Sequence, residues 1–381
     1  MPFNKVLLRG FIIILCNIAI NGYYANTYAE HTAKDHTSVD EAIYIETLYG
    51  PMLIADQAVK DILASKAMKR LKRIHQYGTW GFLKKYSIEY TRHTHSLGVY
   101  YLLVKFGASR EECIFGLIHD ISHTIFSHVA DYMRGLLTAK KSYQDDILAW
   151  YVHHTDLKEI LEKHDLIHII TDEMQETFIM LKNCLPNLCI DRLEYNLCGG
   201  LIDNILTEND ITFIVNSLIY TNHTFVFNNT YAAKLFALTS IKLSVLNWCD
   251  STNCFVYQET ANMLLYALEK QIISSDDFHF SDDETVWHLL HNTNDNQIQE
   301  HIKYLQQHHL YCYQSSEDNY DFAVKTKFRG IDPFVQTAEG YIKKLSELDA
   351  AFAKYFNYAQ AYCAKPIYIK KISYSDMRTV N

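Results

Sequence analysis

The chain carries no C-x-x-C pair among its nine cysteines, and only five prolines and 13 glycines in 381 residues. The missing pairs exclude a zinc ribbon or a thioredoxin-type redox motif. So few breakers exclude a collagen-like chain or a long disordered tract. The formal charge of −9 lacks the basic excess of a general polyanion binder. No specific nucleic-acid partner is therefore expected, although a local basic pocket could hold phosphates. No internal repeat or low-complexity tract is present. What the chain does have is apolar and aromatic: 49% of its residues are hydrophobic, with 28 tyrosines and 19 phenylalanines. Such a chain can bury a large, mostly helical core, as one elaborated domain or as a main domain with an appendage.

At the N-terminus, Lys5 and Arg9 lead into an apolar run over 11–20, and small residues follow, with Ala25 and Ala29 as candidate cleavage points. This layout reads as a signal peptide over 1–29, the run being short for a membrane span. An exported protein, periplasmic or secreted and without a stable span, is the expectation. An uncleaved anchor and a misassigned start codon are the alternatives. Eight cysteines then remain, and an even count in an exported chain permits disulfides, with Cys249–Cys254 the favoured local pair. Burial as small hydrophobes is the other reading, preferred for Cys113.

Along the chain, IYIETLYG starts strand-like, and Val59, Ile62, Leu63, Met68, Leu71 and Ile74 then recur at helical spacing. Helical periodicity returns over 95–106 and stops at Gly107. Ser109 reads as an N-cap with Glu112 as its box partner, opening the apolar helix EECIFGLIHD. Further helices are expected over 145–162, 172–183, 188–206, 230–273 and 338–361. The runs SLIYTN and TFVFNN between them suggest a small β-hairpin. The expected fold is mainly α, with a helical core over 50–210 and a C-terminal helical extension over 211–381 that holds the hairpin.

The chemistry concentrates over 90–131. His95, the adjacent His119 and Asp120, then His123 and His128 lie there, and Asp191 follows in LCIDRLEYNL. Imidazole nitrogens and carboxylate oxygens in this combination suit a divalent metal. In GLIHDISH the His-Asp pair directly follows apolar residues, where burial without a partner costs on the order of several kcal/mol. A bound metal removes that cost. The i, i+4 spacing puts His119 and His123 on one helical face. His128 and Asp131, three apart, can touch, so that the carboxylate orients the imidazole. An imidazolium beside a phosphate is placed to protonate a leaving oxygen. A structural metal or a core polar network is the alternative, but closed structural sites usually include cysteine, which this set lacks.

The runs RLKRIHQYG, YTRHTHSLGVYYL, GLIHDISHTIFSHVAD and CIDRLEYNL, in that order, resemble the HD-domain phosphohydrolases, and among them the deoxynucleoside triphosphate triphosphohydrolase branch. The resemblance covers roughly residues 55–200 and continues weakly through KFRGIDPFV. It implies an HD-domain helical core in which His95, His119, Asp120 and Asp191 bind one divalent transition metal (Fe, Mn or Zn, with Mg as an alternative). A second metal would recruit His123 or His128. It further implies that Arg92 faces the substrate phosphates, a role that suits a forked guanidinium. Gln76 would meet the sugar, Tyr195 would lie near the substrate, and His123, His128 and Asp131 would form the catalytic relay. The implied activity is metal-dependent hydrolysis of a phosphate ester of a small molecule, a (deoxy)nucleotide such as a dNTP. The alternatives are a phosphodiesterase or phosphomonoesterase acting on another metabolite, and a nucleotide-binding protein that kept the fold and lost turnover. A homo-oligomer is compatible with all of these. Two positions depart from the family pattern. YQDD, 143–146, stands where a His-Glu pair is common, and Gly199 stands where an acidic residue tends to follow DRLEY.

Overall fold

The computed structural model describes residues 42–135, 141–307 and 311–372. The expected leader over 1–29 lies outside them. The architecture is mainly helical, with short strands β1 (Ile43–Thr47), β2 (Gly50–Ile54), β3 (Leu218–Thr221), β4 (Thr224–Phe227), β5 (Cys312–Gln314), β6 (Phe322–Val324), β7 (Phe334–Gln336), β8 (Ile342–Lys344) and β9 (Ile367–Lys371). β1 and β2 form an antiparallel hairpin. The expected hairpin is β3–β4, and β4 is extended by β7, running parallel, and then by β8. β5, β9 and β6 make a third sheet in that order.

Helices begin where the sequence offers caps. Asp56 accepts from the Ala58 amide to open Gln57–Ala64, and Ser65 accepts from the Met68 amide to open Lys66–Arg70. Thr91 and Thr94 form a reciprocal capping box that starts Arg92–Lys105. The expected box at Ser109 is only half made. Ser109 accepts from the Glu112 amide, but the Glu112 carboxylate turns away to accept from the amides of Met180 and Leu181, at 2.8 and 2.9 Å.

Several expected helices are shorter or broken. Residues 145–162 divide into Tyr143–His153 and Leu157–Lys163, and 172–183 shrinks to Asp172–Thr177. The span 230–273 divides into Thr230–Leu243 and Ser251–Glu269, with a π-helical turn at Ser244–Trp248. Over 338–361 the chain first completes the β7–β8 hairpin, with Gly340 at φ +87°, and only then forms Leu345–Leu348 and Ala350–Cys363. Apolar spacing alone does not register such breaks.

One apolar core runs from Met52 through Val99, Leu117 and Leu193 to Val335 and Phe352, so residues late in the chain close the same core as the early helices. A second gathers Ile125, Phe126, Phe255, Leu264, Leu290 and Ile369. The segment 119–128 passes from the first core at Ile121 to the second at Ile125. Both cores therefore hold the segment that carries the histidines.

The eight described cysteines are free thiols, so the Cys249–Cys254 pairing is not formed. Cys254 is buried on the Ser251–Glu269 helix, and Cys249, before that helix, accepts from the Thr326 hydroxyl at 3.1 Å. Among the described residues no helix is long and apolar enough to cross a membrane.

Candidate metal centre

Three helices bring the polar groups together. Arg92–Lys105 carries Arg92 and His95, Arg110–Ile118 delivers His119 at its C-cap with Asp120 next, and Ile190–Ile202 opens with Asp191 in its first turn. His95, His119 and Asp120 offer ligand atoms that all lie within 4.8 Å of one another, and all three residues are buried. Asp191 Oδ1 lies 3.3 Å from His95 Nε2 and 3.8 Å from His119 Nε2. His95 Nε2 is 3.5 Å from Asp120 Oδ2, and His119 Nε2 is 3.5 Å from Asp120 Oδ1. Residues as far apart as 95 and 191 in the chain thus converge on one point.

Hydrogen bonds orient both rings. His119 Nδ1 donates to the Gly116 carbonyl at 2.7 Å, which leaves Nε2 as the lone-pair nitrogen. That Nε2 is buried and has no hydrogen-bond partner. His95 Nδ1 is paired with the Glu194 carboxylate, which also accepts from the Tyr90 hydroxyl at 2.6 Å. Its Nε2 is thereby turned toward Asp120 and Asp191. A carboxylate behind a ligating histidine is the usual outer support of a metal site.

The electrostatics favour a cation here. Burial works against charge on His95, but Glu194, Asp191 and Asp120 overcome it and hold its pKa up at about 10. Burial likewise opposes ionisation of Asp120 and Asp191. For Asp120 the neighbouring His119 and Arg92 outweigh it, and for Asp191 the imidazoles of His119 and His95 do, so both stay well below the usual carboxylate range. A buried imidazole lone pair without a partner, facing two ionised carboxylates, fits a divalent cation and is hard to explain as a finished polar network.

Arg92 is buried, its Nη1 on Asp120 Oδ2 at 2.7 Å and its Nε donating to Ser127 Oγ at 3.0 Å. In this arrangement the guanidinium braces a carboxylate of the cluster. His123 Nε2 lies 3.4 Å from Asp120 Oδ1, and burial followed by the Arg92 charge pushes its pKa down to about 3. His123 is therefore neutral at ordinary pH. Its ring meets His128 edge to face, with centroids 4.9 Å apart. His128 Nδ1 is bound to Asp131 Oδ2 at 2.9 Å, and Asp131 also accepts from the Tyr143 amide at 2.7 Å. This pair stands beside the cluster, joined to it through His123.

Gln76 meets the site through its backbone carbonyl, 3.5 Å from Arg92 Nη2, while its side-chain Oε1 is buried without a partner. Tyr195 lies one turn beyond Asp191. Its ring packs on Trp248 at 5.3 Å, and its buried hydroxyl also lacks a partner. At Gly199 an added Cβ would stand 3.0 Å from the Tyr77 hydroxyl and 3.2 Å from Leu243, so this position has little room for an acidic side chain.

Two residues that the motif reading passed over shape the site. Glu194 follows Asp191 by three, on the same helix face, a spacing that could have flagged it. Asp283 sits far off in sequence. Its buried carboxylate accepts from the Phe126 amide at 2.6 Å and the His75 amide at 2.8 Å. It pins the turn before His128, where Phe126 and Ser127 both hold φ of 56°, a region unfavourable for residues with a Cβ.

No protein-family model matches the chain. It is 29% identical over 318 residues to the uncharacterized protein YdhJ of Bacillus subtilis, covering 83% of this chain and 95% of that one. It is 34% identical over 170 residues to the metal-dependent phosphohydrolase cns2 of Cordyceps militaris, 45% of this chain and 48% of that one. Among solved structures it resembles a phosphohydrolase from Bacteroides thetaiotaomicron, with a TM-score of 0.64 and 17% identity over 87% of this chain and 100% of that one. A hypothetical protein from Aquifex aeolicus gives a TM-score of 0.61 at 17% identity, over 87% of this chain and 95% of that one. At such identities the two structures share the fold with this chain.

Proposed function

We propose that this chain is a metal-dependent phosphohydrolase of the HD type, with His95, His119, Asp120 and Asp191 holding one divalent transition metal. The observation that carries this reading is the buried, partnerless Nε2 of His119, aimed where His95 Nε2, Asp120 and Asp191 also converge. The similarity to cns2, named a metal-dependent phosphohydrolase, supports it, as does the fold shared with the Bacteroides phosphohydrolase. A metal held by these residues would supply Lewis-acid chemistry toward phosphoryl oxygens and would lower the pKa of water toward neutral.

The chain's own groups supply the rest. Glu194 and Gly116 orient the two imidazoles so that Nε2 of each faces the cluster. Arg92 holds Asp120 in place, and His119 with Arg92 keeps it ionised. His128, gripped at Nδ1 by Asp131 and with its side chain 35% exposed, presents its other nitrogen to protonate the leaving oxygen. Gln76 Oε1 and the Tyr195 hydroxyl are buried without partners, and a (deoxy)nucleotide such as a dNTP, whose sugar would engage them, is the proposed substrate.

The test is elemental analysis of the purified protein together with a hydrolysis screen over nucleotides and simple phosphate esters, with added Mn, Fe, Zn or Mg. Asp191→Asn is the cleanest probe, because Asp120→Ala would also leave the Arg92 guanidinium buried without its carboxylate. Loss of bound metal and of hydrolysis together is the expected outcome. Full turnover in metal-free Asp191→Asn would sink the proposal.

A further inference from the structure

Beyond the cluster and the His128–Asp131 pair, Lys182 is a cation near Asp191 that the motifs do not assign. Lys182 Nζ is bound to Asp145 Oδ1 at 2.7 Å, and its side chain is 37% exposed. Backbone and side-chain hydrogen bonds fix where it stands. The Ile190 and Asp191 amides donate to the carbonyls of Met180 and Leu181, at 2.9 and 3.3 Å, so Lys182 directly follows a residue bonded to Asp191. The buried Glu112 carboxylate grips the Met180 and Leu181 amides from the other side. Asp145 is held by Ser142, whose hydroxyl donates to Asp145 Oδ2 at 2.7 Å, and the start of that helix is tied to Asp131 through the Tyr143 amide. The Ser122 hydroxyl ties the next residue, Gln144, back to the histidine segment at 2.8 Å. The ammonium is thus strung between the strand of backbone that carries Asp191 and the helix start that braces the partner of His128.

From this geometry we infer that Lys182, positioned by Asp145, is a phosphate-binding residue at the mouth of the metal centre. The inference rests on the phosphohydrolase reading and extends it. Helix Tyr143–His153 opens with YQDD where the resembling family often supplies a His-Glu pair. Here the positive group comes from a different segment, and the carboxylate that holds it comes from the helix that lacks the histidine. The charge is secure. Burial tends to drive the proton off Lys182, but the Asp145 carboxylate at 2.7 Å outweighs it. An ammonium with one carboxylate partner keeps donors free for an anion, since a lysine has three. A point charge at the rim attracts a phosphate without dictating its orientation, which leaves alignment to the cluster.

The experiment compares wild type, Lys182→Met, Lys182→Arg and Asp145→Asn, each loaded with Mn. Inorganic phosphate binding is read by calorimetry, and kcat/KM is read on whichever phosphate ester the wild type hydrolyses. Loss of one charge-assisted contact weakens phosphate binding by about tenfold. Lys182→Met is expected to show that loss with metal stoichiometry and melting temperature unchanged, and Lys182→Arg to recover most of it. Asp145→Asn is expected to show a smaller loss, because the ammonium stays but is no longer aimed. Should Lys182→Met fold poorly, the comparison of Lys182→Arg with Asp145→Asn carries the test. Wild-type phosphate affinity in Lys182→Met overturns the inference, as does a wild type that binds no phosphate. A wild type that binds phosphate through Lys182 yet hydrolyses nothing leaves the anion site standing and removes the phosphohydrolase reading instead.

Discussion

The Glu194 carboxylate is paired with His95 Nδ1, and that single contact decides which nitrogen of His95 faces Asp120 and Asp191. Glu194 is itself buried and held by the Tyr90 hydroxyl. In Glu194→Gln the amide oxygen can still accept from the imidazole, but the negative charge behind the ring is gone. Metal affinity is expected to fall by about 10–100-fold, the usual cost of losing such an outer support, with the fold intact. Titration against a competing chelator measures it, and an unchanged affinity would mean that Glu194 does not tune the ligand.

Gly98 offers a second way to disturb the same contact. A Cβ at this position would lie 2.6 Å from Glu194 Oε1 and 2.9 Å from its Cγ, so the Glu194 side chain behind His95 would have to shift. In an exposed helix Gly→Ala gains about 1 kcal/mol from propensity. Here overpacking in a buried site costs about 1–3 kcal/mol, which reverses the sign. Gly98→Ala is therefore expected to melt lower than wild type and to bind metal more weakly. A melting temperature above wild type would show that Glu194 can step aside freely.

His128 is expected to matter for turnover and not for metal. Its Nδ1 is engaged by Asp131, and its ring lies against His123 rather than in the ligand cluster. His128→Ala should retain stoichiometric metal and lose about 10²–10⁴-fold in kcat, the range for a general acid. Metal content fallen to zero in this variant would make His128 a ligand.

The convergence of His119 and Asp120 with His95 was legible in the sequence in part, because a His-Asp pair set directly after an apolar run asks for a strong partner. The hairpin β3–β4 was legible as well, its β-prone runs separated by Asn222 and His223, which take positive φ. Lys182 and Asp283 were not legible. A lysine next to an asparagine, and an aspartate in the first turn of a helix, look like ordinary surface chemistry until tertiary packing brings one beside Asp145 and buries the other. The side chain of Glu112 shows the same limit: local spacing assigns it to its own helix cap, and the fold gives it to the amides of Met180 and Leu181.

Asp283 yields a prediction in pH. Burial is the main cause that lifts its pKa from 3.8 to about 7, against the two amides that favour its charged form. Between those two values the unfolded chain has released this proton while the folded protein keeps it. The folded state then binds more protons, so stability falls as pH rises. The contribution is complete below the ordinary carboxylate value and is lost through about 7. His123 works in the opposite sense. Its folded pKa of about 3 lies below the ordinary 6.5, so its share of stability is present above 6.5 and lost as pH falls toward 3. The total profile mixes the two, and the comparison that isolates Asp283 is wild type against Asp283→Asn, which keeps His123 in both. The asparagine oxygen can accept from one of the two amides and never ionises. Wild type should therefore lose stability relative to Asp283→Asn by a few kcal/mol between about pH 4 and pH 8. Denaturant unfolding of both proteins at a series of pH values reads the difference directly. A difference that stays flat across that range would show that the carboxyl is already ionised in the fold, held by the Phe126 and His75 amides strongly enough to overcome its burial.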